Sequence, residues 1–145
     1  MEMVVHTEPT VEELRGLFRY LTAEKAFGFI GDDLREEGAF VRHFLRKDIL
    51  PMVFERGGQC IGVIWLSSYE PFPKSAFIHY AVSARHGREQ LRAARAFLDA
   101  VLDGPNYDTL FAVWNEGDAA SARLSELFGF ISFTRKDEKI FSMRI

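Results

Sequence analysis

The segment NEGDAASARLSELFGFISF, residues 115–133, constrains the fold more than any other part of the sequence, because it specifies both ends of a short helix. Asp118 is a favourable residue for the start of a helix, and Gly129 can adopt the left-handed conformation that ends one. Strand-like sequence stands on both sides, TLFAVW before the helix and FISFTR after it. A short helix between two strands predicts a fold of the α/β type.

Two further helices are predicted in the first third of the chain. Thr10 followed by Glu13 forms a capping box, and leucines recur behind it at helical spacing, which predicts a helix over roughly residues 10–25. Asp33, with Glu36 as its partner, is the expected cap of a second helix. A strand fragment precedes Thr10, so the first elements are expected in the order β-α-α.

The middle of the chain changes to strand-like sequence, rich in β-branched and aromatic residues. Gly57 and Gly58 separate the first two runs and predict a tight hairpin, because glycine readily adopts the positive φ angles of such turns. A third run, SAFIHYAVSA, leads into a helix from about Arg85 to Leu102, which the sequence DGP ends. The predicted order of the whole chain is β-α-α-β-β-β-α-β-α-β-β.

The composition favours one soluble globular domain and excludes several classes of protein. The 145 residues carry a net charge of -3, which argues against broad binding to the backbone of a nucleic acid. Cys60 is the only cysteine, so we expect a buried inert thiol, no internal disulfide and no metal site. No apolar run approaches ~18 residues, and the N-terminal sequence lacks the pattern of a signal peptide. We expect a cytoplasmic protein without nucleic-acid or membrane partners.

The helix that follows Arg85 carries basic residues along one side. Arg88, Arg92 and Arg95 fall within a narrow arc at 100° per residue. The start of a helix binds phosphate through unpaired N–H groups and its dipole, and arginine adds charge-assisted hydrogen bonds. The pattern therefore favours a ligand that carries a pyrophosphate. The alternative is that the arginines form the solvated face of an amphipathic helix.

Together these features resemble the GCN5-related N-acetyltransferase (GNAT) superfamily over nearly the whole chain. The residues that carry the resemblance are Ile61, Gly62 and Val63, the strand HYAVS, Asn115 with the short helix after it, and the pair Gly129 and Phe130. The resemblance implies one domain with a mixed, mostly antiparallel central sheet flanked by helices. It also implies acetyl-CoA, or another acyl-CoA, as the cofactor. The acyl group would pass to an amine of a small molecule or a protein, by direct attack in a ternary complex.

The resemblance further implies where the cofactor and the acceptor bind. The expected cofactor-binding residues are Ala81, Val82, Arg85, His86, Gly87, Arg88, Arg92 and Asn115. The backbone N–H that polarises the thioester would be that of Val82 or of a residue beside it. Phe27, Phe29 and Asp32 are the expected acceptor-binding residues, with burial of the phenylalanines in the core as the alternative interpretation.

The candidate catalytic residues are His79, Glu70 and Ser125. His79 lies in the strand HYAVS, and its ordinary pKa of about 6.5 suits proton transfer, although a strand histidine is more often structural. Glu70 is the other candidate base, with a solvated turn carboxylate as the alternative. Ser125 stands where many family members carry a tyrosine that protonates the thiolate; water, Tyr80 or Tyr107 are the alternative acids.

Two departures from the family pattern keep a second function open. The loop RHGREQ has Gly87 as its only glycine, and serine is a far weaker acid than tyrosine. The alternative function is a catalytically degenerate domain that acts as a sensor of CoA ligands or as a protein-interaction module. A homodimer through exposed sheet edges is one hypothesis for the oligomeric state.

Overall fold

The computed structural model describes residues 2–25, 32–69, 71–82 and 87–145, and it confirms the predicted order of elements. The elements are β1 (Met3–His6), α1 (Val11–Ala23), α2 (Glu37–Phe44), β2 (Ile49–Arg56), β3 (Gln59–Ser68), β4 (Ser75–Val82), α3 (Gly87–Asp103), β5 (Thr109–Asn115), α4 (Ala119–Leu127), β6 (Ile131–Lys136) and β7 (Lys139–Arg144). A single 3-10 turn, Asp32–Leu34, precedes α2.

Within these ranges the strands form one mixed sheet, mostly antiparallel, in the order β1-β2-β3-β4-β5-β7-β6. The contacts divide the chain into two compact units. The first unit comprises Met1–Ser67 and His79–Ala93, and the second comprises Ser68–Ile78 and Ala94–Ile145.

The first unit is built around an antiparallel hairpin that two helices cover. Gly57 and Gly58 connect β2 to β3 with φ angles of 59° and 81°, which confirms the predicted tight turn. The main core lies in this unit. It includes Leu14, Leu17, Leu21, Phe40, Phe44, Val53, Val63 and Trp65, all buried.

The two helices of the first unit begin with different caps. The predicted capping box at α1 is confirmed, because Thr10 accepts a hydrogen bond from the backbone N–H of Glu13, whose side chain accepts one from Thr10. The predicted cap of α2 is wrong. Its cap is Glu36, whose carboxylate accepts hydrogen bonds from the backbone N–H groups of Gly38 and Ala39, and these bonds lower the pKa of Glu36.

The second unit packs small and aliphatic side chains on one side of its strands. β4 runs parallel to β5 over three residue pairs, and β7 lies antiparallel to both β5 and β6. Buried residues on one side of these strands are Ala76, Leu110, Ala112 and Ser142, and Ala94 and Leu98 are the buried residues of α3 in this unit. The helix-facing side of the sheet is therefore the tightly packed one.

The first turn of α3 lies directly against β3 in the first unit. Gln90 is completely buried, although it carries a polar side chain. A Cβ atom at Gly62 would overlap the side-chain oxygen of Gln90 and would lie 3.2 Å from the carbonyl oxygen of Ala81. Only glycine leaves room at this position for both contacts.

We predict that Gly62→Ala lowers the free energy of unfolding by about 1–3 kcal/mol, because the added methyl group overpacks a closed site. Urea denaturation measures the loss. The double variant Gly62→Ala/Gln90→Ala should lose less than the sum of the single variants, since the overlapping atoms are gone. Gly87→Ala is the control: no described atom lies within 4 Å of a Cβ there, so no loss is expected. If the loss in the free energy of unfolding of the double variant equalled the sum of the losses of the two single variants, the predicted overlap would be contradicted.

Candidate functional site

The start of α3 is the place where the sequence predicted an anion site, which stays a prediction. Gly87 is the first helical residue, and no described atom lies within 4 Å of a Cβ built on it. Arg88 and Arg92 are exposed, and neither makes a hydrogen bond or ion pair with another described residue. Glu89, between them, pairs with Arg56 of β2. Two guanidinium groups one turn apart are thus available to a ligand at the positive end of the helix dipole.

The second half of β4, in the same unit, carries a histidine that packs against β3. The His79 Nε2 atom lies 2.8 Å from the Ser67 Oγ atom, and the imidazole stacks on Trp65 with ring centroids 5.1 Å apart. His43 packs edge-on against the same tryptophan. Ala81 is completely buried two residues after His79, and Val82 is half-buried at the end of the strand.

This environment makes His79 a weaker base than an ordinary histidine. Burial, with a smaller contribution from the positive charge that His43 can carry, lowers the pKa of His79 to about 4. Burial also lowers the pKa of His43. At neutral pH the imidazole of His79 is therefore uncharged, and its assignment as a general base stays a prediction.

In the second unit, α4 has the two sharp ends that its sequence predicted. The Asp118 carboxylate accepts a hydrogen bond from the backbone N–H of Ser121. At the other end Gly129 has a φ of 85°, and the N–H of Phe130 donates to the carbonyl of Ser125 at 2.8 Å. With the bond from Gly129 to Glu126, this is the Schellman arrangement that ends helices at glycine.

Two arginines bind the last carbonyl groups of α4, which the sequence did not indicate. Arg95 of α3 donates to the carbonyl of Leu127 at 2.6 Å, and Arg144 of β7 donates to the carbonyl of Phe128 at 3.0 Å. Arg144 also pairs with Asp99. Positive groups at this position satisfy unpaired carbonyls and complement the negative end of the helix dipole. Arg95 is thereby separated in role from Arg88 and Arg92, with which the sequence had grouped it.

Ser125 and Asn115 occupy different environments in this unit. Ser125 is buried, and its hydroxyl donates to the carbonyl of Ala122 at 2.8 Å. Asn115 is exposed at the end of β5, and its carbonyl accepts a hydrogen bond from the N–H of Asp118. Tyr107, an alternative acid, has its hydroxyl 3.0 Å from the Ser68 hydroxyl.

An open cleft of about 440 Å³ lies beside α4, between the helix and the β6–β7 hairpin. Trp114 contributes an aromatic wall, and Ala119, Ala122 and Ile140 add apolar surface. Trp114 is half-buried, whereas Trp65 is buried. Cys60 is also buried as predicted, and burial raises the pKa of its thiol to about 11, with the Glu13 and Glu55 carboxylates adding to the effect.

Several predicted site residues lie outside the described part of the chain. They are Phe27, Phe29, Glu70, Arg85 and His86. Asp32 is described; its carboxylate is exposed and lies 3.4 Å from the guanidinium of Arg35. Of the predicted cofactor residues, the structure places Ala81, Val82, Gly87, Arg88 and Arg92 in the first unit and Asn115 in the second. In the described ranges, no helix has the length and apolar character that crossing a membrane requires.

The architecture is that of an acetyltransferase fold, and comparison with known proteins establishes this likeness by structure. No family model matches the chain, and no curated protein is similar to it in sequence. The structure superimposes on a ribosomal-protein-S5-alanine acetyltransferase from Vibrio fischeri with a TM-score of 0.79 at 13% identity, over 100% of this chain and 93% of that one.

Two further solved structures support the same conclusion. An acetyltransferase of the GNAT family from Bacillus anthracis gives a TM-score of 0.78 at 12% identity, over 100% of this chain and 95% of that one. An aminoglycoside acetyltransferase in complex with coenzyme A gives 0.74 at 14% identity, over 99% and 94%. The predicted resemblance to the GNAT superfamily is therefore confirmed for the fold.

We predict that His79 makes the protein less stable as the pH falls from about 6.5 to 4. The folded pKa lies below that of an unfolded histidine, so the unfolded chain binds more protons in this window and the contribution of His79, about 2–3 kcal/mol, is lost. Urea denaturation at several pH values measures how the free energy of unfolding depends on pH. The slope of this free energy against pH should be shallower for His79→Gln than for the wild-type protein. Since His43 remains, some slope persists in the variant. Equal slopes in both proteins would contradict the prediction.

Proposed function

We propose that the protein is an acyl-CoA-dependent N-acetyltransferase that transfers an acetyl group to an amine of a small molecule or a protein. The observation that carries the proposal is the start of α3, where Arg88 and Arg92 are exposed without a described partner at a helix N-terminus. A pyrophosphate fits this chemistry, because its charge is matched by two guanidinium groups and by the helix dipole. The fold is one that known acetyltransferases share.

The residues around the helix start fit such a cofactor. Gly87 has no side chain, and no described atom lies within 4 Å of a Cβ built there, which suits approach of a phosphate to the backbone N–H groups of the first turn. We assign Arg88 and Arg92 to the pyrophosphate, and the backbone of Ala81 and Val82 to the acyl-bearing arm.

The cofactor, when bound, supplies a thioester whose carbonyl carbon accepts the amine nitrogen. We assign the polarisation of this carbonyl to the backbone N–H at Val82. A histidine with a pKa of about 4 is too weak a base to deprotonate an ammonium ion, whose pKa is about 10, at neutral pH. The proposal therefore takes the acceptor as the neutral amine, which has lost its extra proton to water before it attacks. As the carbon–nitrogen bond forms, the carbon–sulfur bond would break, and the proton that the amine nitrogen gives up would pass through water to the departing thiolate of CoA.

The proposal is tested first by charge reversal at α3. Arg88→Glu/Arg92→Glu should weaken acetyl-CoA binding about 100-fold or more, because two charge-assisted hydrogen bonds are lost. Thermal unfolding with acetyl-CoA measures this, since a ligand at ~100 times its Kd adds about 2.7 kcal/mol of apparent stability.

A matched control for the charge reversal is available on α1. Arg15 and Arg19 have the same spacing as Arg88 and Arg92, and their exposed ion pairs with Glu12 and Glu37 contribute little to stability. Arg15→Glu/Arg19→Glu should retain the wild-type response to acetyl-CoA. Equal weakening in both variants would remove the assignment of the pyrophosphate to α3. No stabilisation of the wild-type protein by any acyl-CoA would overturn the proposed function.

A second test concerns Ser125, the candidate acid that would protonate the leaving thiolate. Ser125→Ala should leave kcat for release of free CoA within about twofold of the wild-type value, because the Ser125 hydroxyl already donates to the carbonyl of Ala122. The assay follows free thiol in the presence of a panel of primary amines. A loss of more than about tenfold, with acetyl-CoA affinity unchanged, would instead assign the acid to Ser125.

A further inference from the structure

Three side chains that can bind a metal ion meet at the β1 end of the sheet, within the first unit. His6 lies in β1, Glu13 in the first turn of α1 and Glu55 in β2. One nitrogen of His6 and one carboxylate oxygen of each glutamate lie within 4.8 Å of one another. The proposed acyl-CoA site uses none of these residues. The sequence predicted no metal site, because the three positions are far apart in the chain.

Strand register and a helix cap bring the three side chains together. His6 pairs with Val53 in the antiparallel β1–β2 ladder, and Glu55 stands two residues further along β2 on the same face. Diagonal neighbours of this kind are within reach of long side chains. On α1, the backbone N–H of Thr10 donates to the Oε1 atom of Glu13 at 2.9 Å. The capping box therefore fixes this carboxylate and leaves its Oε2 atom directed at His6.

The imidazole of His6 stands between the two carboxylates. Its Nδ1 atom lies 3.1 Å from Oε2 of Glu13, and its Nε2 atom lies 3.3 Å from Oε1 of Glu55. A neutral imidazole has one N–H donor and one lone pair, so one of its nitrogens faces a carboxylate oxygen without a hydrogen between them. Either a second proton or a cation bound by the lone pair removes this mismatch.

The charges of the group distinguish between these two solutions. In the part of the chain that the structure describes, neither Glu13 nor Glu55 forms an ion pair with a lysine or an arginine. The side chains of His6, Glu13 and Glu55 are only 26%, 22% and 25% exposed, so water solvates them incompletely. A second proton on His6 leaves one negative charge uncompensated, whereas a divalent cation on the neutral ring balances both carboxylates. Partly buried charge is costly unless it is paired.

We propose that His6, Glu13 and Glu55 bind a divalent transition-metal ion, with Zn²⁺ as the best match. Zn²⁺ takes imidazole nitrogen and carboxylate oxygen at about 2.0–2.2 Å, and water completes a tetrahedral set with three protein ligands. Donors on such an ion stand roughly 3.4 Å apart, so small side-chain rotations close the group onto it. Mg²⁺ and Ca²⁺ fit less well, because they take oxygen ligands in larger numbers. The ion ties β1 to α1 and β2.

The experiment titrates the metal-free protein with Zn²⁺ by calorimetry. The wild-type chain should bind one ion, and excess Mg²⁺ should not displace it. His6→Gln should weaken binding ~100-fold or more, because loss of a direct ligand costs more than the roughly 10–100-fold that loss of an outer hydrogen-bond partner costs. Circular dichroism checks that the variant is folded.

Two adjacent glutamates of α1 provide a matched pair of variants. Glu13→Gln keeps the capping box, since glutamine also serves at this position, but removes the charged metal ligand. It should weaken Zn²⁺ binding at least ~10-fold. Glu12→Gln removes the same charge from a side chain that is 82% exposed and pairs with Arg15, and it should keep the wild-type affinity. Glu13→Gln decides the question even if His6→Gln does not fold.

Three results would overturn the proposal. Absence of Zn²⁺ binding at up to about 100 µM metal would leave a protonated His6 as the link between the carboxylates. Binding that neither His6→Gln nor Glu13→Gln weakens would place the ion on other donors. Equal weakening by Glu12→Gln and Glu13→Gln would reveal a general effect of negative surface charge. None of these results bears on the acyl-CoA site.

Discussion

The close contact of α3 with β3 at Gly62 is the constraint on which the rest of the first unit's candidate site depends. Gln90, in the first turn of α3, is completely buried where a side chain at Gly62 would stand. A helical turn is rigid, so fixing Gln90 also fixes Gly87 and Arg88 just before it. The carbonyl of Ala81 borders the same position at 3.2 Å. Because Gly62 has no side chain, the start of α3 and the end of β4 can both pack closely against β3 at this position.

The sequence predicts those features that a few neighbouring residues determine together. The hairpin at Gly57 and Gly58, the capping box at Thr10 and the left-handed Gly129 each rest on local backbone conformation, and each is confirmed. The predicted cap of α2 was wrong because two acidic residues, Asp33 and Glu36, stand close to the start of the helix. Asp33 lies in a 3-10 turn, and the carboxylate of Glu36 reaches two N–H groups of the helix. Spacing alone could not decide between them.

The parts that the sequence did not predict are contacts between distant residues. Arg95 and Arg144 bind the carbonyl end of α4 from two other elements, and the last turn of α4 itself contains no basic residue. Helical periodicity grouped Arg95 with Arg88 and Arg92, since all three share one side of α3. Only the packing of α3 beside α4 within the second unit separates a structural arginine from two that remain available. Arg95 binds the carbonyl of Leu127, whereas Arg88 and Arg92 have no described partner. This difference supports the assignment of Arg88 and Arg92 to a ligand.

Aromatic packing around His79 also decides which chemistry the first unit can support. Trp65 stacks on His79 and contacts Phe44 and His43 with its edges, so a charge on His79 would be surrounded by rings. The hydrogen bond to Ser67 satisfies one nitrogen of the neutral ring but does not stabilise a cation as a carboxylate would. A half-buried neutral histidine in this aromatic environment stabilises the fold at neutral pH at the expense of basicity. Under the proposed function, rate acceleration would come from orienting a neutral amine and polarising the thioester, two tasks that rigid backbone performs better than a titrating side chain.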